Sequence, residues 1–170
     1  MDDGGASTLD VRAMGDGEEA AVIALWQRAG LTRPWNDPAN DLAFARGKTQ
    51  SDILVGTMDG AIVACAMVGH DGHRGVMYYV AVDPALRGRG LGRQMVAAAE
   101  AWLLARGVWK VNLMVRQGNE PVLGFYAGLG YGARQQRRDR EVDRSGQARD
   151  GRVSSMTVAS RSAPILRPMV

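Results

Sequence analysis

Arg87-Gly88-Arg89-Gly90-Leu91-Gly92 is the stretch whose residue types and spacing can do chemistry. Glycines at every second position let the backbone turn tightly and aim its N–H groups at one point. Arg87, Arg89 and Arg93 place cations around that point. A helical pattern begins at once behind it, and a helix N-terminus adds partial positive charge. The guest that suits such a cradle is a phosphate or pyrophosphate. Two familiar forms do not match. A nucleotide P-loop ends in G-K-[ST], whereas Gly92 is followed by Arg93-Gln94. A dinucleotide loop reads G-x-G-x-x-G with an acid about 20 residues on. Here the spacing is G-x-G-x-G, and Val108 to Asn112 supplies no acid.

The elements that must hold this loop can be read on either side of it. Val76-Met77-Tyr78-Tyr79-Val80-Ala81-Val82 reads as a strand, ended by Asp83-Pro84, because proline cannot continue a central ladder. A helix is expected from about Gly90 to Ala105, with Leu91, Met95, Ala98 and Trp102 on one face. A second candidate segment runs from Asn119 to Tyr131. Asn119 is an N-cap residue type, Pro121 suits a first turn, and Gly130 is a helix stop. Tyr126 follows Asn119 by seven residues, and seven steps of about 100° return almost to the starting face. Both side chains therefore look the same way, two turns apart.

The R-x-x-G-x-G form after Val-Ala-Val-Asp-Pro resembles the acetyl-coenzyme A loop of the GNAT superfamily of N-acetyltransferases. The segment Asn119 to Tyr131 resembles that family's last helix. The resemblance covers residues 8–131 and implies an α/β fold: a mixed, mostly antiparallel central sheet whose middle strands splay apart, flanked by helices. It implies that Val80, Ala81 and Val82 hold the pantetheine arm through their backbone. Arg87, Gly88, Arg89, Gly90, Leu91, Gly92 and Arg93 would hold the pyrophosphate, and Asn119 would touch the coenzyme arm. Tyr126 would protonate the departing thiolate. The implied activity is transfer of an acetyl group from acetyl-CoA, a cosubstrate, to an amine by direct attack on the thioester. The alternative is a catalytically silent acyl-CoA-binding or regulatory module of the same fold.

The base is the weak point of the pattern. GNAT enzymes that acetylate ribosomal-protein N-termini resemble this chain around Leu113-Met114-Val115-Arg116, but carry a Glu where Met114 stands. Methionine cannot take a proton. Asp37, Asp71, His73, Tyr78 and Tyr79 are candidates by position. Leu31 to Pro38 resembles a loop of small stand-alone GNAT proteins of unassigned substrate, and its Trp35 beside Asp37 either shapes an acceptor pocket or packs the loop down. His70-Asp71-Gly72-His73 has histidines three apart, but no cysteine or third histidine completes a metal site, and a polar hairpin turn is the preferred reading. No metal is expected.

The remaining elements follow from periodicity and turn chemistry. Leu9 to Met14 alternates as a first strand. Glu18 to Ala29 reads as a helix with Ala21, Val22, Leu25 and Trp26 on one stripe, and a short helix is expected from Ala39 to Gly47. Ile53 to Met58 and Ala61 to Gly69 are strands around the Asp59-Gly60 turn, and Trp109 to Val115 is another. The family ends with two more strands. Val153 to Ala159 suits the last, whereas Gln135 to Arg152 is too polar to read as one and is expected to be an excursion.

At 170 residues the chain suits one domain with a real core. The organisation expected is a flexible N-terminus over 1–7, an acetyltransferase domain over 8–131, and a basic polar segment over 132–170. Net charge is +3, but residues 132–170 carry nine arginines against four acids. Both signs interleave there and no aromatic stands ready to stack on bases, so specific nucleic-acid binding is not expected. The single cysteine, Cys65, lies in an apolar run and reads as a small buried hydrophobe. Met1 to Gly5 is acidic, the wrong charge for a secretory n-region, and no apolar run approaches a membrane span. The cytoplasm is the default location. The expected partner is a small-molecule amine or a peptide amine, with no membrane; a homodimer is left open.

Overall fold

The structure, a computed structural model, describes residues 8–116, 118–136, 141–142, 148–149 and 156–162. Its elements in chain order are β1 (Asp10–Ala13), α1 (Glu19–Arg28), α2 (Pro38–Ala45), β2 (Ser51–Met58), β3 (Ala61–His70), β4 (Gly75–Val82), α3 (Leu91–Leu104), β5 (Lys110–Arg116), α4 (Glu120–Gly128), β6 (Gly132–Gln136), β7 (Glu141–Val142), β8 (Ala148–Arg149) and β9 (Met156–Ser162). Seven strands form one sheet in the order β1-β2-β3-β4-β5-β9-β6, and β7 pairs with β8 apart from it. Every neighbouring pair in the large sheet is antiparallel except β4 and β5.

Strand alternation sends successive side chains to opposite faces, and a separate cluster covers each face. On one side Leu54, Ala64, Ala66, Val68 and Met77 of the sheet pack under Leu91, Met95, Val96, Ala99 and Leu103 of α3 and Tyr126 of α4. On the other, Ile53, Val55, Cys65 and Ala81 pack under Val22, Leu25 and Trp26 of α1 and Leu42 of α2. Trp26 is fully buried, and its indole N–H donates to the Cys65 sulfur at 3.1 Å. Burial pushes the Cys65 thiol up to about 12, so it is an inert part of the core. The expected stripe on α3 is corrected by this packing. Leu91 and Met95 face the core as expected, whereas Ala98 and Trp102 are only half-buried and Val96, Ala99 and Leu103 complete the buried face. The departure is by one position and only in the second half of the helix, where Ala99 and Leu103 stand in place of Ala98 and Trp102. Trp102 instead meets the Arg106 guanidinium, 3.4 Å over its ring. On α1, Ala21 is exposed and drops out of the expected stripe.

The feature that positions the site is the parting of β4 from β5. They pair only at Gly75 with Val111 and Val76 with Asn112. Beyond this the strands splay. Two features part them. Gly75 lets Leu103 press against the backbone at the root of the splay, where a Cβ would lie 2.5 Å from a Leu103 methyl. A bulge then sets Tyr79 and Val80 opposite the single residue Ala66, and Tyr79 takes a positive φ of 48°. Bulges bend a strand and increase its twist.

The sheet continues past Tyr131. β9 inserts between β5 and β6, close to the expected last strand; residues 153–155 of that expectation lie outside the described residues. β6 reaches Gln136, so the polar stretch expected to leave the sheet at Gln135 does so later. Most of the remainder of that stretch also lies outside the described residues.

Candidate active site

The loop after β4 is held from below and from one side. Asp83 donates its N–H to the Val63 carbonyl and caps the short 3-10 turn Pro84–Leu86 by accepting from the Ala85 N–H at 3.0 Å. It also receives Arg28 of α1 at 2.9 Å. That cap lowers the carboxyl's pKa, burial opposes it, and Arg28 adds to it, so the net shift is downward. Gly88 and Gly90 follow with φ of +81° and +76°, the left-handed region that disfavours side chains, and open space surrounds the place of each missing Cβ. Gly90 is the N-cap of α3. The first turn of that helix has no acid and carries Arg93 instead, the reverse of what stabilises a helix N-terminus by itself. An anionic guest would resolve that mismatch. A groove of about 410 Å³ opens here, lined by Val82, Arg87, Gly88, Gly90, Gly92 and Phe125 among others. These open glycine positions, free N–H groups of a first helical turn and flanking arginines fit a pyrophosphate.

A second cleft of about 420 Å³ lies in the splay and joins the groove at Val80, Val122 and Tyr126. Its floor comes from Met77 to Val80 of β4 and Leu113 to Arg116 of β5. One wall is Asn119 and Tyr126, and the rim is Arg33, Trp35 and Asn36. Of the three residues expected along the pantetheine arm, Val80 and Val82 line these cavities, whereas Ala81 turns its methyl into the core on the other face. Only its backbone is available.

Asn119 and Tyr126 share the cleft, as their seven-residue spacing requires. Asn119 occupies the N-cap position of α4 but makes no capping bond with its side chain, which leaves the amide to face the cleft. Tyr126 is held edge-on between Phe125 (5.0 Å) and Tyr131 (5.6 Å). The Tyr131 hydroxyl donates to Glu100 of α3 at 2.7 Å, and Glu100 also receives Arg161. This chain of contacts fixes the ring of Tyr126. Burial alone pushes its phenol up to about 12, so it carries its proton at neutral pH.

The candidate bases are mostly engaged elsewhere. Asp37 caps α2, accepting from the Ala39 N–H at 2.9 Å. Asp71 closes the β3–β4 turn by accepting from the N–H groups of His73 and Arg74, which hold its carboxyl below the usual range. His73 sits exposed in that turn, and its neighbour His70 accepts the Gly72 N–H at Nδ1. Tyr79 donates to Asp41 of α2 and stacks on Trp26 at 4.0 Å; burial, then the Asp41 bond, push its pKa up, which keeps the hydroxyl protonated and unable to accept a proton as a phenolate would. Tyr78 lines the cleft, partly exposed. Met114 faces the cleft as well. No carboxylate lines it among the described residues. Trp35 stands 76% exposed on the rim and so does not pack the loop down. Asn36 behind it ties the loop to Tyr79 and Asp41 at 3.1 and 3.2 Å.

Reasoning from sequence missed Arg33 and Val122 as lining residues, and Asp41, Glu100 and Tyr131 as supports. Only Tyr131 had a local signal, the Leu-Gly-Tyr that closes α4. Asp41 and Glu100 are ordinary helix-surface acids until the fold brings tyrosines to them. No group of three or more metal-ligating side chains gathers among the described residues, and no helix there is long and apolar enough to cross a membrane.

Comparison with known proteins agrees with this geometry. Over 123 residues the chain is 42% identical to an acetyltransferase of Pectobacterium atrosepticum, a match covering 72% of this chain and 87% of the relative. An acetyltransferase of Yersinia enterocolitica is 41% identical over the same span and coverage. The fold superposes on the ribosomal-protein-S18-alanine N-acetyltransferase of Escherichia coli with a TM-score of 0.72 at 21% identity, covering 96% of this chain and 99% of that one. It also superposes on an acetyltransferase of Salmonella typhimurium solved with its cofactor acetyl-CoA, with a TM-score of 0.69 at 23% identity, covering 95% and 100%. Residues 20–131 match the model of the acetyltransferase (GNAT) family, and the chain belongs to that family.

Proposed function

We propose that this protein transfers the acetyl group of acetyl-CoA to the nitrogen of a small-molecule or peptide amine by direct attack on the thioester. The observation that carries the reading is the junction at Tyr126. One buried, protonated phenol lines both the anion groove below the Arg87–Gly92 loop and the cleft open to an acceptor. Acetyl-CoA supplies an activated acetyl group and a thiolate leaving group. The free edge of β4 from Val80 to Val82 suits an added strand-like arm. N–H groups from Gly88 to Arg93 suit the pyrophosphate, and the Asn119 amide suits the arm between them. A neutral amine forms the N–C bond as the C–S bond breaks. The Tyr126 hydroxyl gives its proton to the sulfur and recovers one from the nitrogen or from water. The net products are the amide, the free thiol and one proton from the original ammonium.

The reading places the protein in the cytoplasm, with no membrane or specific nucleic-acid partner and with a homodimer open. Met114, facing the cleft without proton-accepting capacity, favours one second reading, a coenzyme-binding module without turnover. Incubation of the protein and acetyl-CoA with amines, peptides and aminoglycosides, following free thiol release, separates the two. Release that depends on an amine supports the enzyme. Tight coenzyme binding with no amine-dependent release supports the module.

A further inference from the structure

The acceptor side of the cleft has an unusual balance of charge. Arg33 and Arg116 line it from opposite edges, one from the loop after α1 and the other from the end of β5. Among the described residues its lining contains no carboxylate. Asp41, which bonds to the lining residues Tyr79 and Asn36, is occupied by the Tyr79 hydroxyl and the Asn36 amide. Arg33 is half-buried, and its Nη1 donates to the carbonyls of Gly30 at 2.9 Å and Thr32 at 2.7 Å. Those bonds fix one edge of the guanidinium and leave its other nitrogens to serve a guest. Between the arginines lie Met114, Trp35 and Tyr78, all partly or well exposed.

From this arrangement we infer that the acceptor is an amine that also carries an anionic group, a carboxylate or phosphate, joined through an apolar portion. The inference rests on the transferase reading above. A cationic acceptor such as a polyamine or aminoglycoside would meet two arginines and no counter-charge. An anionic group would instead find charge-assisted donors with the fork geometry that suits carboxylate and phosphate. Met114 and the aromatic side chains would cover the apolar portion. The amine would lie over the Met114 thioether, where no carboxylate holds it as an ammonium and the two guanidinium groups favour its neutral form. Water accepts the ammonium proton before attack. This would meet the need for a neutral nucleophile without a carboxylate base.

The test uses matched acceptors with the full chain and acetyl-CoA: apolar amino acids against their amides, phosphoethanolamine against ethanolamine, and spermidine and kanamycin as cations. The anionic member of a pair should be preferred in kcat/KM by roughly tenfold to a hundredfold, the worth of a hydrogen bond to a charged group. The carboxylate and phosphate pairs report separately which anion is read. Arg116→Gln should erode that preference by raising KM for the anionic member by more than for its neutral mate. Arg33→Gln should do the same, with Arg33→Lys retaining part of the preference. Because Arg33 also braces its own loop, the Arg116 variant decides if Arg33→Gln fails to fold. Preference for the neutral mates or the cations, or an anion preference that survives both substitutions, overturns this inference and leaves the transferase standing. Coenzyme binding with no acetylation of any of these amines overturns this inference, and the transferase reading falls with it only if peptides also give no thiol release.

Discussion

The two halves of the cleft are built by different means. The side proposed for the coenzyme is made of backbone: a consecutive run of glycines and arginines, a helix start and one free strand edge. The side proposed for the acceptor is made of side chains from remote segments. Arg33 and Trp35 come from the loop after α1, Tyr78 from β4, and Met114 and Arg116 from β5. A backbone site tolerates changes of side chain but not of φ. A side-chain site has the opposite sensitivity. Tyr126 belongs to both halves.

The largest effect is therefore expected at the shared residue. Tyr126→Phe keeps the ring between Phe125 and Tyr131 and removes the proton donor. Turnover should fall on the order of 10²–10⁴-fold with coenzyme affinity little changed, as single-turnover kinetics and calorimetry would show. The wild type sharpens this by its pH profile. A phenol at about 12 stays protonated through the range where an ordinary tyrosine, near pH 10, would begin to ionise. With Tyr126 as acid, kcat/KM should rise as the amine deprotonates and show no fall up to about pH 10. A descending limb between pH 8 and 10 would remove Tyr126 from the role.

Next comes a paired test of the backbone wall. Gly90→Val forces a β-branched residue to φ near +76°, costing about 1–3 kcal/mol in local strain. Acetyl-CoA affinity should drop by roughly tenfold or more as the turn deforms. Arg89→Ala removes an exposed cation and should change affinity less than about fivefold, the scale of a surface ion pair. If the two variants lose affinity equally, with Gly90→Val folded by circular dichroism, the loop binds through side chains and the contrast between the walls fails.

On the side-chain wall, Tyr79→Phe deletes the hydroxyl that joins Asn36 and Asp41 to the β4 bulge. The protein should lose about 1–2 kcal/mol in chemical denaturation. The acceptor KM should rise while coenzyme affinity holds. A change confined to coenzyme binding would assign the bulge to the other wall.

The smallest effect lies outside both walls. Glu18 accepts both Arg12 Nη groups at 2.8 and 2.6 Å and the Gly15 N–H at 2.7 Å. The Arg12 bond first, then the backbone donor, lower its pKa to about 2 from an ordinary 4.5. The folded value lies below the unfolded one. The stabilisation is thus complete above about pH 4.5 and lost as pH falls toward 2. Glu18→Gln should flatten that part of the acid stability curve without moving either ligand affinity.

The contrast between the walls also separates what could be read in advance. Loop, strand and helix N-terminus are consecutive, so Arg87 to Gly92 announces its own geometry. The Asn119–Tyr126 pair is legible for the same reason, since helical periodicity alone places both on one face. Asp37, Asp71 and Tyr79 misled because residue type and nearness in the chain do not show what each group is bonded to. The first two cap turns and the third donates to a carboxylate. The α3 stripe was displaced in its second half because the side of a helix that meets the sheet is set by packing, which a hydrophobic pattern does not contain.

By itself the sequence determined the elements from β1 to α4, the glycine turn after β4 and the register of Asn119 with Tyr126. All of these depend on φ preferences and side-chain periodicity over short spans. Only the tertiary structure decided that β4 leaves β5 after two paired positions. It also decided that Tyr131 and Glu100 brace the phenol, and that Arg33 and Arg116 line a cleft with no acid among the described residues. These are meetings of segments up to about eighty residues apart, and they follow from how the sheet is packed on both faces and bent at its bulge.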